Sequence, residues 1–166
     1  MMNNILSLLD SLLVQSFKNG EKILKEEQKD MFMSIPIEDK GVVFSSYSFD
    51  KKDIFPFLNK IKGAHSMCDY ILFCTNNNQL YILLIELKHG NDDVMNQIKA
   101  GKNFSNFIIS TLNRVNNLNL KPQIRSIAIR NKNISRKGRT NCEVKYDENN
   151  FCTFGGNTFV IKEFLK

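Results

Sequence analysis

The sequence predicts a single α/β domain over residues 1–166, with a mixed central β-sheet flanked by helices. Three observations lead there. Two apolar runs, CDYILFC over 68–74 and LYILLIEL over 80–87, flank the polar stretch 75–79, the pattern of a β-hairpin. From residue 91 the apolar period lengthens: Val94, Ile98, Gly101, Phe104, Ile108 and Val115 recur at helical spacing, with Asn91 or Asp92 available as N-cap. Beyond Pro122 the segment QIRSIAIR, 123–130, returns to strand character.

The remaining elements follow in chain order. Ile5, Leu8, Leu9, Leu12 and Leu13 keep helical spacing over residues 1–14, while Asp10 and the lack of a basic start argue against a secretory leader. Asn19-Gly20 is a helix-stop pair, and a second, polar helical stretch is expected over 21–32, carrying Glu21, Glu26 and Glu27. Residues 41–49, with Val42, Val43, Phe44, Tyr47 and Phe49, read as a strand; 54–61 fits either a short helix or a loop. A further short strand is expected over 158–161. No repeat or linker divides the chain, and Pro36, Pro56 and Pro122 punctuate element junctions.

Composition narrows the function classes. The chain is 42% hydrophobic and 24% charged, and no apolar run approaches the roughly 20 residues of a membrane span, so no membrane role is expected. Cys68, Cys74, Cys142 and Cys152 match no paired metal motif, which predicts reduced thiols and a cytoplasmic location. A zinc site assembled from His65, Cys68, Cys142 and Cys152 has no support in their spacing. A net charge of +6 and a pI near 9.1 favour an anionic partner. The abundance of asparagine, lysine and isoleucine is the bias expected of an AT-rich coding sequence, which suggests a bacterial source without showing it.

Three polar residues stand where the hairpin should be apolar: Asp69 opens its first strand, and Glu86 and Lys88 close its second. A symmetric turn centred between Asn77 and Asn78 sets Asp69 opposite Glu86, at a Cβ separation of about 4.5–5.5 Å. Glu86 and Lys88, two residues apart, share one face. Two carboxylates at that distance repel unless a cation lies between them. Magnesium, with manganese as substitute, suits one or two carboxylates plus water, and the Leu87 carbonyl can add a ligand. The competing reading is an ordinary salt bridge at a solvated strand end. The basic residues Arg130, Lys132, Arg136, Lys137 and Arg139, with Ser135 and Thr140, read either as phosphate contacts or as an exposed loop. Most of the thirteen phenylalanines sit at core-like positions; Phe151 and Phe154 stay open as base-stacking candidates.

The order CDYILF, an Asn-rich turn, YILLIELKHG and then a helix bearing Gln97 resembles the PD-(D/E)xK, or restriction-endonuclease-like, superfamily over residues 65–109. The resemblance implies a restriction-endonuclease-like core and a magnesium-dependent nuclease acting on DNA rather than RNA. Asp69 would be the first metal-binding acid, Glu86-Leu87-Lys88 the ExK element, and Gln97 a residue near the active site. Cys68 stands where the name-giving motif has proline, and Glu26, with Glu21 next, is the choice for the first-helix acid of many members. The implied setting is bacterial restriction, antiviral defence or a mobile element. A targeting or regulatory protein, or a second copy of the chain in a homodimer, is the expected partner beside nucleic acid. Two other readings stand beside this one: a non-cleaving nuclease-like domain that binds nucleic acid or protein, and an interaction module unrelated to nucleic acid.

Overall fold

The hairpin forms around a two-residue turn. Strand β4 (Tyr70–Asn76) pairs antiparallel with β5 (Gln79–Lys88), in a register running from Asn76 opposite Gln79 to Tyr70 opposite Ile85. Asn77 and Asn78 take φ of 48° and 62°. Both are positive, as a type I′ turn requires, and asparagine tolerates this region better than other residues with a Cβ. The turn is tighter than the polar stretch 75–79, because Thr75, Asn76 and Gln79 belong to the strands.

The structure is a computed structural model that describes residues 23–28, 31–39, 42–48, 58, 61, 63–88, 94–130 and 144–166. Around the hairpin it adds β1 (Ile23–Gln28), β2 (Met31–Glu38), β3 (Val43–Ser48), helix α1 (Met95–Val115), β6 (Gln123–Arg130), β7 (Phe151–Phe154), β8 (Phe159–Val160) and a 3-10 helix (Ile161–Phe164). The main sheet has the order β3-β4-β5-β6-β7 and is mixed: β5 pairs antiparallel with β4 and parallel with β6, and β7 is parallel to β6. The parallel pair β5–β6 needs a crossover, and α1 supplies it on one face. That face buries Ile71, Phe73, Ile82, Leu84 and Ala128 against Ile98, Ile108, Ile109 and Leu112 of the helix. β5 is apolar almost throughout because both of its faces are covered.

The second face departs from expectation. Residues 21–32 were predicted helical, but β1 and β2 form an antiparallel hairpin that joins β8 in a three-stranded sheet. The reason is alternation: Ile35 and Ile37 are buried while Ser34, Pro36 and Glu38 are exposed, and only a strand turns such positions to one side. Leu24, Ile35 and Ile37 then pack with Tyr70, Leu72, Leu83, Ile85, Leu87, Ile127 and Ile129 of the main sheet. Tertiary burial overrides the local helix preference of the charged 25–30 stretch. The main sheet is therefore flanked by a helix on one face and a small sheet on the other. Tyr70 links the layers, its hydroxyl accepting from the Lys25 N–H and donating to the Lys25 carbonyl, both at 2.9 Å.

Other expectations meet the structure element by element. The strand read over 41–49 is β3, that over 123–130 is β6, and that over 158–161 is β8 running into the 3-10 helix. Strand β7 was not expected. It carries both phenylalanines held open as stacking platforms: Phe154 is core, packed edge-on to Phe159 and Phe164, and Phe151 is half-buried against the α1-side cluster. On α1 the buried stripe passes through Ile98, Gly101, Ser105, Ile108, Ile109 and Leu112; Val115 keeps the helical spacing of this stripe but is exposed as the last residue of the helix. Val94, which has no capping side chain, occupies the N-cap position, and Asn91 and Asp92 lie outside the described residues, as do 1–14 and most of 54–61. No described helix is long and apolar enough to cross a membrane.

The turn generates a direct test. Asn78→Val forces a β-branched residue into positive φ and is expected to lower stability by about 1–2 kcal/mol, whereas Asn78→Gly is neutral or stabilising. Urea denaturation measures both, and an Asn78→Val variant as stable as wild type would show that the turn does not hold the register.

Candidate metal centre at the open end of the hairpin

The main-chain ladder between β4 and β5 ends at Tyr70 and Ile85. Continuing the register by one residue sets Asp69 opposite Glu86, and here side chains take over from the backbone. The Asp69 N–H donates to Glu86 Oε2 at 3.2 Å, and the Leu87 N–H donates to Asp69 Oδ2 at 2.6 Å. Each carboxylate is thus anchored by a backbone donor on the opposite chain segment. The other oxygen of Glu86, Oε1, lies 3.0 Å from Lys88 Nζ. Glu86 is only 2% exposed, and the lysine and backbone donors compensate the burial of its carboxylate.

Alternation along the strands sets the face. Glu86 and Lys88 continue the series Ile82 and Leu84, which packs under α1, and Asp69 continues Ile71 and Phe73 on the same side. The helix approaches closely just behind the acids. A Cβ built on Gly101 would fall 2.5 Å from Cys68 Sγ, so glycine at 101 lets α1 pass over the residue preceding Asp69. Gln97 lies one turn earlier on the same side of α1 and is half-buried. Cys68 is buried, and its thiol donates to the Tyr70 carbonyl at 3.5 Å. Burial first, then the charges of Glu86 and Asp69, push that thiol well above its ordinary pKa. It is a neutral packing group, unlike the thiolate that would bind a soft metal.

The donor set offered to a cation is two carboxylates and a carbonyl. A strand residue turns its N–H and C=O toward the same neighbour, so the Leu87 carbonyl faces the Asp69 side along with its N–H. Among the described residues no group of three or more His, Cys, Asp or Glu side chains is placed to hold a metal. Zinc in a closed tetrahedral site or calcium in an all-protein cage needs more protein ligands than this. Two carboxylates and a carbonyl are oxygen donors of the kind magnesium takes together with water.

Several sequence-derived candidates fall elsewhere. Glu26, chosen as a first-helix acid, belongs to strand β1 of the small sheet, where its backbone pairs with Met33; Glu21 is outside the described residues. Arg136, Lys137 and Arg139, with Lys132, Ser135 and Thr140, also lie outside them. His65 sits in the turn after Gly63, half-buried, four residues before Asp69. A neighbour that sequence reasoning did not bring to the acids is Arg130: it ends β6 and is the register partner of Lys88. The available signal was an arginine two positions beyond Ala128 at a strand end, but the parallel pairing had to be known to use it.

Comparison with protein-family models, with curated proteins and with solved structures gives no match.

Magnesium at ten times its Kd contributes about 1.4 kcal/mol to a protein that binds it only when folded. For a chain of this length that is a rise in Tm of roughly 3–6 °C. Thermal melts with and without magnesium are expected to show this rise in wild type and to lose it in Asp69→Asn and Glu86→Gln; a rise retained in both variants would put the cation elsewhere.

Proposed function

We propose that this chain is a magnesium-dependent nuclease that hydrolyses phosphodiester bonds of DNA, built on a restriction-endonuclease-like core. The observation that carries the reading is the convergence of Asp69, Glu86 and Lys88 at one end of one hairpin, with both carboxylates anchored by backbone donors and the lysine on the same face. Gln97 on the overlying helix, the order of elements from β4 to α1 and the net charge of +6 support it. The preference for DNA over RNA and a bacterial restriction, defence or mobile-element setting rest on the family resemblance, as does a targeting or regulatory partner.

Asp69, Glu86 and the Leu87 carbonyl would hold the cation. A divalent ion there supplies charge neutralisation at the scissile phosphate and acidification of the attacking water. The protein's own groups do the positioning. The Leu87 N–H fixes the Asp69 carboxylate, and the Asp69 N–H fixes that of Glu86, so neither needs to reorganise when substrate arrives. Lys88, held beside Glu86, would orient the attacking water or stabilise charge developing on the phosphate. The Gln97 amide can donate to a phosphate oxygen from the helix side.

The 3.0 Å pair between Glu86 and Lys88 also supports a second reading, a nuclease-like domain that binds nucleic acid or a protein without cutting, with Lys88 serving to neutralise a buried acid. Turnover separates the two. Supercoiled plasmid, linear duplex, single-stranded DNA and RNA are incubated with wild type, Asp69→Ala and Lys88→Ala, with magnesium, manganese or chelator. The expected result is metal-dependent cutting of DNA, abolished in Asp69→Ala and reduced about 10²–10³-fold in Lys88→Ala. Cutting that survives Asp69→Ala would overturn the assignment, and the absence of cutting under every condition would favour the binding domain.

A further inference from the structure

We infer that Arg130 is a phosphate-binding arm of this site, holding the phosphodiester next to the one that is cut, so that the ligand is a polynucleotide chain and not a mononucleotide. The inference rests on the nuclease reading and adds to it a residue that meets the substrate.

Register places the arginine. β5 and β6 run parallel with Lys88 opposite Arg130, and neighbouring strands lie about 4.8 Å apart. Alternation gives its face: Ala128 belongs to the core under α1, whereas Ile127 and Ile129 belong to the opposite core. Arg130 therefore emerges on the face of Ala128, the face that carries Glu86 and Lys88. Both cations stand at the carboxyl ends of parallel strands, the edge at which open α/β sheets receive ligands. Lys88 reaches back along its strand to Glu86. Arg130 is one strand further from the acids, where a group adjoining the reacting phosphate would lie. Its planar fork suits two oxygens of one phosphate, which an ammonium cannot match.

The test is binding of a fluorescent DNA oligonucleotide by wild type, Arg130→Ala and Arg130→Lys, followed by anisotropy in calcium over a range of salt, with KM and kcat measured in magnesium. Arg130→Ala is expected to weaken binding about tenfold and to flatten the plot of log affinity against log salt by about one phosphate contact. KM rises more than kcat falls, and Arg130→Lys restores the salt slope but only part of the affinity. The rise of Tm with magnesium stays at the wild-type value, because Arg130 is not a ligand of the cation. If Arg130→Ala binds with wild-type affinity and slope while wild type cuts DNA, the arm is overturned and the nuclease reading stands. If wild type never cuts but Arg130→Ala still loses affinity and slope, the nuclease reading falls and the phosphate contact stands. A wild-type protein that does not bind the oligonucleotide overturns both.

Discussion

The reciprocal hydrogen bonds at the open end of the hairpin are the interaction on which the candidate site depends. The Asp69 N–H holds Glu86, and the Leu87 N–H holds Asp69, where the regular ladder has already ended. These bonds exist only in one register. A slip of one residue would send Asp69 to the opposite face of the sheet and leave the Glu86 carboxylate buried without its backbone donor. The type I′ turn at the far end is what forbids the slip, since it aligns Asn76 with Gln79 and every pair behind them. A two-residue turn thus determines the geometry of two carboxylates at the other end of a seven-residue strand.

Covering both faces of β5 makes this end stiff. α1 closes on one side through Gly101, whose missing side chain leaves room for Cys68, and the small sheet closes on the other through Leu24, Ile35 and Ile37. Tyr70, the residue after Asp69, is tied to the backbone of β1 by two hydrogen bonds. Among the buried residues of β5 the glutamate is the single charged one, the kind of break in an apolar pattern that is expected at functional or strained sites.

Periodicity made much of this legible. An apolar hairpin around an asparagine-rich turn, a long amphipathic helix and the strand 123–130 are all readable, because each repeats its pattern over enough residues to be distinguished from chance. The opposition of Asp69 and Glu86 follows from counting outward from the turn. The stretch 21–32 misleads because its charged residues favour helix locally, while the burial that makes it a strand pair comes from Ile35 and Ile37 beyond it and from the sheet beneath. β7 is four residues long, too short for alternation to show, so its phenylalanines read as candidate ligand platforms although Phe154 is core and Phe151 half-buried.

By itself, then, the sequence determined the hairpin, its register and the meeting of Asp69, Glu86 and Lys88, because all three lie within one local element whose geometry a turn dictates. Only the tertiary structure decided that β6 runs parallel beside β5, that Arg130 stands next to Lys88, that Gly101 seats the helix on Cys68, and that a sheet covers the second face. Those arrangements join residues far apart in the chain. They are selected by which apolar surfaces can be buried against each other, a property of the assembled domain that no local pattern encodes.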